Sequence, residues 1–125
     1  MRRKDSLVRH AVFFLAALVA PSIAQAQAPG AQRVEVVLAN FSFTPAALHL
    51  KAGRPVTMHF VNQGSGGHNY SAPEFFGPAV PGGKVELKKG ESRDVALTPR
   101  AGHYDVRCTH FLHTSFGMKG TIDVE

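Results

Sequence analysis

Apolar and polar residues alternate in short runs along residues 34–124, and this alternation predicts β-strands, in which successive side chains point to opposite faces. Glycine- and proline-containing turns separate the runs, and residues 72–81 predict a loop with at most one helical turn. The predicted strands are residues 34–38, 41–45, 48–51, 56–61, 84–87, 93–98, 103–108 and 120–124. Seven or eight short strands, without any helix of more than a turn or two, predict an all-β fold, either a sandwich or a barrel.

The alternation also assigns side chains to faces. Met58 and His59 are neighbours in one strand, so they cannot both point inward, which argues against either as a metal ligand. His49 lies between two leucines that face inward, and it should therefore face solvent. In the strand 103–108, Cys108 shares a face with apolar residues and should point into the interior at the strand's end.

Residues 1–26 have the organisation of a secretory signal peptide. A basic start is followed by the apolar run 11–20 and by the small-residue site Ala24-Gln25-Ala26. The apolar run is well short of the roughly 20 residues that a membrane-spanning helix needs. We therefore expect export to the periplasm without stable membrane insertion, a flexible tail over residues 27–32, and one domain over residues 33–125.

The net charge argues against a nucleic-acid-binding protein, and the cysteine content excludes a disulfide within the chain. Removal of residues 1–26 would lower the net charge from +5 to +2, and the remaining basic residues are scattered without a nucleic-acid-reading motif. We therefore expect no nucleic-acid partner, and we expect a monomer. Cys108 is the only cysteine, so no disulfide can form within one chain. A lone thiol in an oxidising compartment calls for a specific role.

The segment 108–118 combines a thiol, imidazoles and a thioether, which is a ligand set that suits copper. Cys108, His113 and Met118 follow one another at five-residue spacing, and a loop of this length can direct three side chains to one point. His68 directly follows residues 64–67, a glycine-rich loop whose backbone can approach another group closely. If the two loops meet at one end of the β-scaffold, they form a single metal site.

Two motifs resemble those of the cupredoxins, the small blue copper proteins of the plastocyanin, pseudoazurin and auracyanin type. They are Asn62-x-Gly64-x-x-x-His68-Asn69 and Tyr104-x-x-x-Cys108-Thr109-x-x-x-His113-x-x-x-x-Met118-Lys119-Gly120. The resemblance spans residues 33–125. It implies a Greek-key β-sandwich, one type 1 copper ion, and electron transfer without a chemical substrate.

The resemblance also implies roles for individual residues. The copper ligands would be His68, Cys108 and His113 in equatorial positions and Met118 in the axial position. Asn69 would support the site by bonding across to the loop after the cysteine. Azurins also have a Gly-His-Asn sequence, and similarity to them raises the alternative of a weak approach of the Gly67 carbonyl to the metal, which we do not expect here.

The sequence differs from the family between the cysteine and the second histidine. Relatives often carry a Pro-Gly pair before that histidine, whereas this chain has His110-Phe111-Leu112. His110 would point the same way as Cys108 in an extended segment, but a Cys-x-His chelate would strain a site that must also reach Met118. We therefore expect His113 to be the ligand. His110 would be a surface histidine beside the site, a supporting contact or an additional copper contact.

The resulting hypothesis is a periplasmic electron carrier that cycles between Cu(II) and Cu(I) and docks briefly with a cytochrome or another copper protein. His113 would lie at the surface within an apolar patch. Four phenylalanines are expected to pack around the site and exclude water: Phe75, Phe76, Phe111 and Phe116.

Two other functions are weighed against it. A periplasmic copper carrier or buffer is conceivable because His103 and His110 are additional histidines. An enzyme is not expected, because four protein ligands leave no open coordination position, and a dinuclear copper centre would need a second cysteine.

Overall fold

The computed structural model describes residues 31–125, which form nine strands and one short helix. The strands are β1 Gln32–Ala39, β2 Ser42–Thr44, β3 Ala47–Leu50, β4 Val56–Asn62, β5 His68–Ser71, β6 Lys84–Leu87, β7 Ser92–Leu97, β8 Gly102–Arg107 and β9 Lys119–Val124. Helix α1 spans Pro73–Phe76 and is followed by 3₁₀ turns at Gly77–Ala79 and Pro81–Gly83. The signal peptide predicted for residues 1–26 lies outside the described residues. The flexible tail is predicted to extend through residue 32, but Gln32 is the first residue of β1.

The strands form two sheets, as the all-β prediction requires. One sheet has the order β2-β1-β4-β7, and the other has the order β3-β9-β8-β5-β6. Pairing is parallel between β1 and β4 and between β3 and β9, and it is antiparallel between the other paired strands. The chain stays within one sheet from β1 to β2, from β5 to β6 and from β8 to β9, and it crosses to the other sheet at each remaining connection. The inward faces of both sheets enclose the core of this β-sandwich.

The predicted faces are confirmed where they can be compared. Met58 is fully buried in β4, while the neighbouring His59 lies on the other face with its Nδ1 atom 2.6 Å from an oxygen of Asp94. His49 is exposed, and Cys108 points into the interior directly after β8. Period-two alternation locates these residues correctly because β3, β4 and β8 each have one more buried and one more exposed face.

Strand β5 was not predicted, so the expected seven or eight strands become nine within residues 31–125. It pairs with β6 along its length and with β8 at one position, and all four of its residues are buried. A strand buried on both faces shows no alternation of polar and apolar residues, so the sequence pattern could not reveal it. Among residues 31–125, no helix is long and apolar enough to cross a bilayer.

Strand β5 also brings the two metal-binding motifs together. In its antiparallel pairing with β8, Ser71 lies opposite Arg107. Continuing this register places the start of β5 beside the residues that follow β8. His68 and Cys108 are far apart in the sequence, yet they reach the same end of the sandwich for this reason.

Candidate metal centre

Three of the predicted ligands converge on one point. The ligand atoms of His68, Cys108 and His113 all lie within 4.8 Å of one another. The Nδ1 atoms of the two histidines are 3.1 Å apart, and the Cys108 Sγ atom lies 3.4 Å from His113 Nδ1. Donors that bind one ion at about 2.0–2.3 Å lie roughly 3–4 Å apart, so a single ion fits among them. A thiolate with two imidazoles is a donor set that fits copper.

The surroundings of His68 direct its Nδ1 atom toward the centre. Its ring Nε2–H donates to the side-chain oxygen of Asn40 at 3.3 Å, and this hydrogen bond leaves the Nδ1 lone pair facing His113. Asn40 lies in the turn after β1 and also accepts a hydrogen bond from the backbone of Ser65. Burial lowers the pKa of His68, and the nearby His113 and His110 lower it further. The imidazole is therefore held in the neutral form that binds metals.

Asn40 was not identified from the sequence. It belongs to neither motif and lies 28 residues before His68. Only the position of the β1–β2 turn beside the glycine-rich loop brings the two side chains together.

Asn62 shapes the glycine-rich loop before His68. Its buried side-chain amide donates to the carbonyls of Gly66, Leu87 and Lys88, and its oxygen accepts from the backbone N–H of Gly64. A Cβ added at Gly64 would lie 2.4 Å from the Nε2 atom of His68. The close approach that the glycines predicted is thus an approach to the His68 ring.

Asn69 joins the two loops around the cysteine. Its backbone N–H donates to Cys108 Sγ at 3.5 Å, and its side-chain amide exchanges hydrogen bonds with the hydroxyl and the backbone N–H of Thr109. Cys108 has no solvent exposure. These contacts hold the sulfur in a dry position with few alternative orientations.

The segment 108–118, here called the ligand loop, carries three predicted ligands that its own backbone links to one another. The N–H of Cys108 donates to the carbonyl of Met118, and the N–H of Met118 donates to the carbonyl of His113. The hydroxyl of Thr114 closes the loop by donating to the Cys108 carbonyl at 2.6 Å. Met118 is fully buried. Its assignment as the axial ligand stays a prediction.

His110 lies beside this centre and contacts a carboxylate. Its Nε2 atom is 2.5 Å from an oxygen of Glu86, whose other oxygen accepts from the side chain of Asn69. The His110 ring stacks on His113, with ring centroids 5.4 Å apart. Burial alone raises the pKa of Glu86, but the hydrogen bonds from Asn69 and His110 outweigh it and lower the pKa. Glu86 was not identified from the sequence.

The prediction that four phenylalanines pack around the site and exclude water is wrong for Phe111 and Phe116. For Phe75 and Phe76 it stays a prediction, because their rings contact other aromatic residues of the core and Tyr104. Phe75 and Phe76 are buried, but the side chains of Phe111 and Phe116 are 87% and 62% exposed. They belong to an exposed apolar patch formed by Phe41, Phe111, Leu112 and Phe116. The loop of residues 108–118 folds in several hydrogen-bonded turns with Cys108 and Met118 buried and these aromatic residues on its outside. His113 borders the patch, because its ring contacts the ring of Phe41 edge-on at 5.3 Å.

Solved structures of known proteins share this fold. A dithionite-reduced auracyanin from the photosynthetic bacterium Roseiflexus castenholzii aligns with a TM-score of 0.63 and 21% identity over 75% of this chain and 97% of its own. Auracyanin B aligns with a TM-score of 0.59 and 30% identity, covering 75% of this chain and 88% of its own. The multicopper oxidase mgLAC aligns with a TM-score of 0.61 and 18% identity, and 76% of this chain spans 39% of that enzyme.

Comparison at the level of sequence points to the same class of protein. No curated protein sequence matches this chain significantly. The family model described as a cupredoxin-like domain matches residues 10–124, which is most of the chain. Together with the two-sheet sandwich and the His-Cys-His group, this match shows that the chain belongs to the cupredoxin-like family.

Proposed function

We propose that this protein is a periplasmic electron carrier with one copper ion at a type 1 site. The ligands are His68, Cys108 and His113, with Met118 as the axial ligand. The observation that carries the proposal is the convergence of one buried thiol and two imidazoles in a chain of the cupredoxin-like family. Copper bound there supplies a one-electron Cu(II)/Cu(I) couple.

The chain's own contribution is a rigid and dry arrangement of donors. Asn40 fixes the His68 ring, Asn69 holds the Cys108 sulfur, and the backbone of the ligand loop links Cys108 to Met118. Because these contacts are made within the protein, the donors need to move little when the charge of the site changes. A small rearrangement favours fast electron transfer.

The apolar patch is the surface at which we propose that a redox partner docks. His113 is partly exposed and borders the patch, so it is the predicted ligand nearest a docked protein. Contiguous exposed apolar residues mark interaction sites, and transient redox encounters bury little surface. A cytochrome or another copper protein is the proposed partner.

The exposed Lys119 lies next to the ligand loop and contributes to steering such a partner by charge. The reduced state named for the R. castenholzii auracyanin supports a redox role.

Copper titration of the apo-protein tests the proposal. We expect Cu(II) to produce an intense thiolate-to-copper absorption band and a narrow copper hyperfine splitting in the EPR spectrum, and we expect Cys108→Ser to abolish both. His103→Ala, which alters a histidine on the exposed face of β8, is the matched control and should leave both signals intact. A pale, ordinary Cu(II) spectrum that Cys108→Ser does not change would refute the type 1 site.

A copper carrier is the second candidate function, because His110 and Glu86 add an imidazole and a carboxylate beside the centre. The two functions predict different rates of electron exchange and of copper release for the copper-loaded protein. An electron carrier should exchange electrons rapidly with its own oxidised form and retain copper, whereas a carrier should transfer Cu(I) readily to a chelator. Measurement of both rates on one preparation decides between them.

Two further parts of the proposal have simple tests. Export rests on the predicted signal peptide, so expression of the full chain in a Gram-negative host should place the protein in the periplasmic fraction.

The likeness to a multicopper oxidase is below 25% identity and concerns the fold alone. We propose that the protein is a monomer and not an enzyme, and we expect the copper-loaded form to elute as a monomer and to show no oxidase activity.

A further inference from the structure

His110 and Glu86 place an imidazole and a carboxylate in contact at the rim of the centre. The imidazole and the carboxylate are 2.5 Å apart, and their side chains are 33% and 48% exposed. The donors inside the centre are far less accessible, since His68 is 2% exposed and Cys108 is fully buried. The outer pair therefore offers donors that a copper ion arriving from solvent can contact, whereas the thiol is enclosed.

The three imidazole rings lead from this outer pair to the buried donors. The ring centroids are 5.4 Å apart between His110 and His113 and 4.8 Å apart between His113 and His68. His110 and His113 are both partly exposed and His68 is buried, so the series runs from two accessible rings to a buried one. His113 also contacts the apolar patch through the ring of Phe41, and the rings of Phe41 and Phe116, which contact each other, offer only carbon atoms. Donors able to hold a copper ion thus line one approach to the centre and not the other.

We propose that His110 and Glu86 bind the incoming copper ion first and pass it to His113, from which it reaches His68 and Cys108 by successive exchange of ligands. This inference rests on the proposed copper site. No electron is transferred during loading of Cu(II). The Cys108 thiol releases its proton to solvent as the sulfur binds the metal, because thiols bind metals in the deprotonated form. The outer pair determines how fast copper enters, and the inner donors determine how tightly it is held.

Stopped-flow mixing of the full apo-protein with Cu(II) tests the proposal, with the thiolate-to-copper absorption band as the readout. We expect His110→Ala and Glu86→Gln each to slow uptake by about tenfold, which is the lower range of the effect of losing one residue that supports a metal site. The final absorbance and band position should match those of the wild type. Glu86→Asp retains a carboxylate and should recover most of the rate.

The chain contains a matched control pair away from the centre. The Nδ1 atom of His103 is 2.5 Å from an oxygen of Asp123 on the outer face of β8 and β9. His103→Ala and Asp123→Asn remove an equivalent imidazole and carboxylate and should leave the uptake rate unchanged.

The outcomes separate this inference from the proposed function. If the wild type develops no absorption band, the proposed type 1 site fails. If the band forms in all variants at the wild-type rate, the entry route is overturned while the copper site stands. The route is equally overturned if His110→Ala or Glu86→Gln shifts the final spectrum without slowing uptake, because that result assigns the pair a positioning role through Asn69.

Discussion

At Gly64, a single added carbon would act directly on the metal centre. A Cβ there would lie 2.4 Å from His68 Nε2 and 3.0 Å from the side-chain oxygen of Asn40. We expect Gly64→Ala to lower the free energy of unfolding by about 1–3 kcal/mol, the usual cost of overpacking, and to perturb copper binding. Denaturant unfolding and copper titration measure the two effects.

Gly66→Ala is the control for this substitution. An added Cβ at Gly66 would meet no atom of the described residues within 4 Å. We expect it to change stability little and to leave copper binding intact. Equal losses from both substitutions would mean that loop flexibility, and not the space beside His68, requires glycine.

Asn40 acts on the metal centre through a single hydrogen bond to His68. Asn40→Ala removes the acceptor that fixes the ring, so we expect copper affinity to fall by about 10–100-fold, as is typical when such a supporting contact is lost. Asn40→Asp retains an acceptor oxygen and should lose much less. Competition with a chelator of known affinity measures the change. Equal affinities for the wild type and Asn40→Ala would contradict this role.

At the scale of elements, β8 and β9 are linked on their outer face by the His103–Asp123 pair, whose residues lie directly opposite each other. The hydrogen bond from His103 to Asp123, together with the charge of that carboxylate, raises the pKa of His103. A raised pKa in the folded state means that the pair stabilises the fold while His103 is protonated. This contribution is complete below the unfolded-state pKa of about 6.5 and is lost as the pH rises through the higher folded-state pKa.

NMR titration tests this expectation. We expect the His103 ring to titrate above the ordinary range of histidine and to return toward it in Asp123→Asn. The stability difference between wild type and Asp123→Asn should be largest at acid pH and should shrink as the pH rises. The comparison with Asp123→Asn is needed because the lowered pKa of His68 gives the wild type an opposite dependence. A difference that grows with pH would contradict the assigned role.

For the whole molecule, an aromatic cluster joins the two sheets. Tyr70 of β5 contacts Phe60 of β4 and Phe43 of β2, with ring centroids 5.1 and 4.9 Å apart. All three rings are buried. We expect Phe60→Ala to lower the free energy of unfolding by about 3–5 kcal/mol because it leaves a cavity between the sheets. Thermal and denaturant unfolding measure this loss.

Phe111→Ala is the contrasting substitution, because Phe111 lies in the exposed apolar patch. We expect it to change stability by less than about 0.5 kcal/mol and to leave the copper spectrum unchanged. It should, however, slow electron exchange with a partner protein, which stopped-flow kinetics would detect. An unchanged exchange rate would show that the patch is not the docking surface.

The sequence by itself determined eight of the nine strands and the directions of several side chains. It did so because a strand with one buried face records that face in every second residue, as the outward His59 and the inward Met58 show. It also singled out Cys108, His113 and Met118, since their spacing within one loop is a local property.

Only the tertiary structure decided the remaining features. Strand β5 is buried on both faces, so it leaves no alternating pattern to read. Asn40 contacts His68, 28 residues along the chain, and Glu86 contacts His110, 24 residues along it. The exposure of Phe111 likewise depends on how the ligand loop turns above the sandwich. Periodicity describes which face a residue occupies within its own element, whereas these features depend on which elements the fold places side by side.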